Sequence, residues 1–246
     1  MRFGSLFTGI GGLDLGLERA GMVCAWQVEK DEYASKVLQK HWPRVQRFGD
    51  IKDVGSNQLK PVDLIVGGFP CQDISVAGRG GGLAGERSGL WREFRRIIDE
   101  LRPPWVLIEN VPALRTRGLS TVLSDLHALG FNAEWDCLPA CAFGAPHRRD
   151  RLFIVAHTNG DGELQQSGCI TAVGERPVHC DWWRSEPDVG RVVYGVPARV
   201  DRLRGLGNAV VPQVAEHIGR SILNWLKSVA ATRNRPRNQR TRNEHS

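Results

Sequence analysis

Short apolar runs rich in β-branched residues alternate along this chain with stretches whose apolar positions recur at helical spacing. Residues 2–7 form a first strand-like run and break into the turn Thr8-Gly9-Ile10-Gly11-Gly12. Leu13, Leu15, Leu17 and Ala20, closed by Gly21, predict a helix that ends on a glycine cap. Val23 to Val28 reads as a second strand running into the charged group Glu29-Lys30-Asp31. A helix with Ala34, Val37 and Leu38 on one face follows and stops before Pro43. A short third strand segment is expected at Gly49-Asp50-Ile51. Val62-Asp63-Leu64-Ile65-Val66 has the length and β-branched content of a buried strand, and opens into a glycine-rich stretch from Gly67 to Gly89. Beyond it the pattern predicts a helix over about 90–102, a strand from Trp105 to Glu109, a helix over about 118–129 and strands near 132–138 and 151–156.

Strands alternating with helices indicate an α/β protein with a mostly parallel sheet and helices on both faces. The regularity fails after His157. Residues 157–202 are polar and turn-rich and read as a small irregular lobe. Val210, Val214, Ile218, Ile222 and Leu226 then predict a final helix over about 209–228. The expected organisation is an α/β body of residues 1–156 and 203–228, a short variable segment, 157–202, and a disordered basic tail, 229–246.

Composition narrows the class. Hydrophobic content of 41% with 24% charge in 246 residues is that of a globular protein. No run approaches the ~18 apolar residues of a membrane helix, and the N-terminus reaches glycine too soon for a signal peptide's apolar core. Six cysteines are too few for a disulfide scaffold in a chain of this length, so they are read as reduced and the protein as cytoplasmic. The net charge is +6, but from Lys227 onward six basic residues face one acid. The tail therefore carries nearly all of it and suits sequence-independent attraction to phosphates.

The candidate chemistry sits at strand ends. The glycine turn lies where α/β folds bind nucleotides, because glycines admit close approach and a helix N-terminus offers free N–H groups. A dinucleotide fingerprint is disfavoured, since Asp14 stands where its last glycine belongs. Glu29 is placed to accept from ribose hydroxyls, and Asp50 to take an adenine amino group. Gly67-Gly68-Phe69-Pro70-Cys71-Gln72 follows a buried strand, and a cysteine in so polar and flexible a loop, with arginines nearby, suits a thiolate nucleophile. Glu109, ending the next strand, is expected on the same rim as a proton-donating carboxyl. In His147-Arg148-Arg149-Asp150-Arg151, strand alternation would put His147, Arg149 and Arg151 on one face.

These segments, with Gly207-Asn208-Ala209-Val210-Val211-Pro212, resemble the DNA (cytosine-5) methyltransferase family and occur in its order over about residues 1–156 and 203–226. The resemblance implies a Rossmann-like class I S-adenosylmethionine-dependent methyltransferase fold with S-adenosylmethionine as methyl donor and no metal. It implies that Cys71 attacks C6 of a cytosine flipped out of double-stranded DNA, and that Glu109 binds the ring at N3. Arg151 would contact the cytosine carbonyl and Arg149 support the site, and the loop from Cys71 to Leu90 would close behind the flipped base. Phe7, Thr8, Gly9, Ile10, Gly11, Gly12, Glu29, Asp50, Ile51, Pro70, Leu90, Asn208 and Ala209 fall at donor-pocket positions. The chain departs from the family at His147, usually glutamine, and at Lys30, usually an aromatic that stacks on adenine.

The variable segment is short for this family's target-recognition region. Gln72, Ser75, Arg79, Arg87 and Arg184 are the candidate DNA contacts, while Trp182 and Trp183 are better read as the small lobe's own core. Cys169, His179 and Cys180 lack zinc spacing. A monomer acting on DNA is expected, with a cognate restriction endonuclease as companion. Two alternatives stand beside it: a tRNA cytosine-5 methyltransferase, whose Cys-Phe-Thr element has only a partial echo in Cys169-Ile170-Thr171, and a non-catalytic DNA-binding regulator.

Overall fold

The computed structural model describes residues 1–70, 89–158 and 199–233. Strands β1 (Arg2–Leu6), β2 (Val23–Val28), β3 (Gln46–Phe48), β4 (Leu64–Gly67), β5 (Trp105–Asn110), β6 (Phe131–Pro139) and β7 (Asp150–Thr158) form a sheet in the order β3-β2-β1-β4-β5-β7-β6. The first five are mutually parallel, whereas β7 runs antiparallel to both β5 and β6. Residues 140–149 are too few for a parallel crossover, so β6 and β7 must reverse. The mostly parallel sheet read from the sequence is present, with this one reversed strand.

The core lies on both sides of the sheet. On one side α1 (Gly12–Arg19) and α7 (Pro212–Arg233) bring Leu13, Leu17, Val214, Ile218 and Ile222 against Phe3, Leu64, Val66 and Leu107. On the other, α3 (Gly89–Leu101) and α5 (Leu119–Ala128) bring Phe94, Ile97, Val122 and Leu126 against Leu6, Ile65, Val106 and Ile108. Successive residues of β4 thus serve opposite cores, which is why its run is apolar without alternation. Gly16 sits inside α1 because a Cβ there would come 2.3 Å from the Pro212 carbonyl oxygen, so the two helices pack backbone to backbone. The remaining helices are α2 (Glu32–His41), the single turn α4 (Leu114–Arg117) and α6 (Arg199–Asn208).

Register decides where chemistry can gather. Leu6 pairs with Gly67 and Gly67 with Ile108, so the chain leaves β1, β4 and β5 at one level of one rim. Asn110 pairs with Leu152, which brings the start of β7 to the same rim.

Several expectations are corrected. The third strand is Gln46–Phe48 rather than 49–51; Asp50 instead caps a 3-10 turn, Ile51–Asp53, its carboxylate accepting from the Lys52 N–H at 3.1 Å. Leu15 lies on the exposed side of α1. The final helix begins at Pro212, a residue suited to a first helical position, and continues to Arg233 through Val229, Ala230 and Ala231. Residues 229–233 therefore belong to a helix and not to a disordered tail. Likewise α6 begins at Arg199, inside the segment expected to be irregular. Residues 159–198 and 234–246 lie outside the described residues.

Candidate active site

The turn after β1 is shaped by left-handed residues: Phe7 (φ 52), Gly9 (φ 57) and Gly11 (φ 85). Glu29, at the end of β2, holds it from outside, one carboxylate oxygen accepting from the Gly9 N–H at 2.6 Å and the other from the Asp31 N–H at 2.7 Å. Asp14 supports it from beneath. Its fully buried carboxylate accepts from Ser5 Oγ and Gln27 Nε2, each at 2.7 Å, and burial pushes its pKa up to about 6. Sequence reading treated Asp14 only as the residue that breaks a dinucleotide fingerprint. Its helical phase beside Leu13 and Leu17 marks a buried position, but not the polar partners that make it tolerable there.

Across the rim Glu109 is 8% exposed, and burial pushes its carboxyl up to about 7 against the opposing pull of Arg151 and Arg149. Arg151 Nε stands 2.9 Å from Glu109 Oε1, a contact that is close but not aligned as a hydrogen bond, so that buried oxygen accepts none. Gly68 makes room for this side chain, since a Cβ there would lie 2.6 Å from Glu109 Oε2. The neighbouring Asn110 Nδ2 donates to the Phe69 carbonyl at 3.0 Å, tying the exit of β4 to the end of β5. Phe69 in turn packs on Trp91 of α3, ring centroids 5.2 Å apart. Phe69 also meets Phe94 of the same helix edge-on at 6.4 Å, so aromatic contacts hold together the two ends that flank residues 71–88.

Among the described residues, three cavities open along this rim. The first, of about 1080 Å3, is lined by Phe7, Glu29, Asp50, Ile51, Pro70 and Leu90, all expected at the donor pocket, together with Lys30. Lys30 Nζ lies 2.7 Å from Asp50 Oδ2, and that ion pair holds the Asp50 carboxyl below its ordinary value. The second, of about 560 Å3, joins Phe7, Thr8, Gly9, Ile10, Gly12, Asn208 and Ala209 with Glu109 and Arg151. The third, of about 760 Å3, contains Gly11, His147 and Arg149.

The common face expected for His147, Arg149 and Arg151 is therefore not found. Regular alternation begins only with β7 at Asp150, and Arg149 has left-handed backbone (φ 31). Its guanidinium turns to the segment before α7, donating to the carbonyls of Gly207 and Ala209 at 2.6 Å each. Cys71, Gln72, Ser75, Arg79, Arg87 and Arg184 lie outside the described residues. Among the described residues no helix is long and apolar enough to cross a membrane, and no group of three or more His, Cys, Asp or Glu could hold a metal ion. Sequence reading also missed Tyr33 and Asp201, which line both the first and second cavities; nothing in their local pattern signals a site.

Comparison with known proteins shows what the chain resembles. The family model described as C-5 cytosine-specific DNA methylase matches residues 1–174. The chain is 40% identical over 164 residues to the Type II methyltransferase M2.BsuMI of Bacillus subtilis, covering 63% of this chain and 42% of the relative. It is 34% identical over 158 residues to the Type II methyltransferase M.NgoBI of Neisseria gonorrhoeae, covering 63% and 50%. It thus spans half or less of the length of these curated relatives. A solved structure of a prophage-encoded E. coli protein, assigned as a DNA modification methyltransferase, superposes with a TM-score of 0.55 at 28% identity, covering 64% of this chain and 47% of that one. The S. pombe Dnmt2 methyltransferase shares the fold, with a TM-score of 0.56 at 19% identity over 72% of this chain and 56% of that one.

Proposed function

The chain belongs to the C-5 cytosine-specific DNA methylase family, and on that premise we propose that it methylates C5 of cytosine in double-stranded DNA with S-adenosylmethionine as donor. The observation that carries this reading is Glu109: a buried carboxyl, raised to about 7, on the wall of a cavity shared with the glycine turn and with Arg151. A carboxyl so placed can hold a proton at neutral pH and offer it to a ring nitrogen.

The residues present fit the donor. The first cavity is lined by Glu29, Asp31, Glu32, Asp50 and Asp201 against Lys30, Lys36 and Lys52, an acidic balance that suits a cationic molecule with ribose hydroxyls and an amino group. Glu29 retains accepting capacity beyond its two backbone N–H groups. Phe7, Pro70 and Leu90 offer apolar surface to a base, and Asn208 and Ala209 close the other end. When bound, S-adenosylmethionine supplies an electrophilic methyl group.

In the proposed chemistry the Cys71 thiolate adds to C6 of the flipped-out cytosine while Glu109 gives a proton to N3. Arg151 stands beside the ring carbonyl and balances charge in a site shielded from water. C5, made nucleophilic, takes the methyl group and leaves S-adenosylhomocysteine; loss of the C5 proton to water, departure of the thiolate and return of the N3 proton to Glu109 then restore both residues. Arg149 acts at one remove by holding the carbonyls of Gly207 and Ala209.

We take the protein to work as a monomer in the cytoplasm. The Type II names of its relatives support a place beside a cognate restriction endonuclease. Residues 159–198 would supply target recognition. Bisulfite sequencing of host DNA after expression tests the reading: methylated cytosines in a fixed sequence context support it, and unchanged DNA contradicts it.

A further inference from the structure

The first and second cavities meet at six residues: Phe7, Glu29, Asp31, Tyr33, Pro70 and Asp201. Five belong to the rim of the sheet or the start of α2. Asp201 comes from elsewhere, from the first turn of α6. Asp201, Gly205 and Asn208, spaced four and three residues apart, share one face of that helix, and all three line the second cavity. Gly205 eases the approach, because a Cβ there would sit a tight 3.1 Å from the Ile10 side chain, with Tyr33 at ordinary contact distance beside it. The helix thus lies across the junction with Asp201 facing it.

The other carboxylates at the junction are already engaged. Glu29 binds the N–H groups of Gly9 and Asp31, and the Asp31 side chain caps α2 by accepting from the Ala34 N–H at 2.9 Å. Farther along the first cavity Asp50 is ion-paired with Lys30, and Glu32 is exposed to solvent. Half-buried Asp201 has no hydrogen-bond or ion-pair partner among the described residues. A carboxylate held in a partly desolvated wall without a partner attracts a cation more strongly than one in open water.

We propose that Asp201 is a donor-binding residue that recognises the sulfonium cation of S-adenosylmethionine and thereby favours donor over spent product. The proposal rests on the reading of these cavities as the donor site. A donor with its nucleoside in the first cavity and its methyl group directed into the second has its sulfur at the junction, where those two arms meet. The product, S-adenosylhomocysteine, keeps every other group but carries a neutral sulfur. A carboxylate at the junction therefore acts on the difference between the two and favours replacement of product by donor.

The test is equilibrium binding of S-adenosylmethionine and S-adenosylhomocysteine to the full chain and to Asp201→Asn and Asp201→Glu. Asp201→Asn should weaken S-adenosylmethionine by about tenfold while leaving S-adenosylhomocysteine within about twofold, and Asp201→Glu should restore part of the difference. An unchanged melting temperature checks that the isosteric variant is folded. Equal weakening of both ligands, or no change in either, would overturn the proposal. Failure of the unaltered protein to bind either ligand would instead overturn the assignment of the cavities themselves, and the proposal with it.

Discussion

Arg151 approaches Glu109 to 2.9 Å across the antiparallel pair β5 and β7, yet the facing carboxylate oxygen accepts no hydrogen bond. The guanidinium moderates the burial of Glu109 without cancelling it, and its carboxyl remains raised to about 7. Because burial outweighs the pull of both guanidiniums, Glu109 is able to carry a proton near neutrality.

The pH dependence of turnover follows. Glu109 must be protonated to serve N3, so kcat/KM should fall as pH rises above about 7. Arg151 holds the carboxyl down, so Arg151→Gln should move the falling limb to higher pH while lowering the plateau by roughly a hundredfold. A pH–rate profile checks both. A limb that stays in place, or moves to lower pH, counts against Glu109 as the proton carrier.

Stability should also depend on pH. Burial raises Asp14 from 3.8 to about 6 and Glu109 from 4.5 to about 7, so each binds its proton more tightly folded than unfolded. Their contribution is fully present below about pH 4 and is lost as pH rises through about 6 to 7. Asp14→Asn can still accept from Gln27 and can donate to Ser5, so it should fold and shrink the difference between urea midpoints at pH 5 and pH 8. Asp14→Leu strands Ser5 and Gln27 and should cost about 2–4 kcal/mol at either pH.

Arg149 ties the start of β7 to the segment between α6 and α7. Arg149→Ala should free the Gly207 and Ala209 carbonyls, raise KM for S-adenosylmethionine by about tenfold and change kcat less. Steady-state kinetics with saturating DNA measures the split. An effect confined to kcat would place Arg149 at the reacting base instead.

Lys30 stands where an aromatic residue is expected, and pairs with Asp50 in the first cavity, the one proposed to hold the nucleoside. Because the pair is exposed, salt should loosen it. Lys30→Tyr should free Asp50, offer a stacking surface and lower KM for the donor about fivefold, with less dependence on salt. Titration at two ionic strengths decides it.

Much of this site is legible in the sequence because strand ends are. The run Leu64–Val66 and the positions of Glu109 and Gly9 predict which residues leave the sheet together, and the register of Leu6, Gly67 and Ile108 bears that out. What escapes is nonlocal. The reversal of β7 depends on how few residues join it to β6. Arg149 leaves its expected face because its backbone is left-handed, which residue type alone does not announce. Asp201 reaches the cavity through the packing of α6 on Ile10 and Tyr33, and no local periodicity carries that information.

The central claim is tested most directly by incubating duplex DNA with methyl-labelled S-adenosylmethionine and the full chain, its Cys71→Ser variant and its Glu109→Gln variant, with tRNA as a parallel substrate. Label recovered as 5-methylcytosine from the duplex, abolished by Cys71→Ser and strongly reduced by Glu109→Gln, is the predicted result. Label found only in tRNA, no label in any cytosine, or transfer that survives Cys71→Ser would contradict the account.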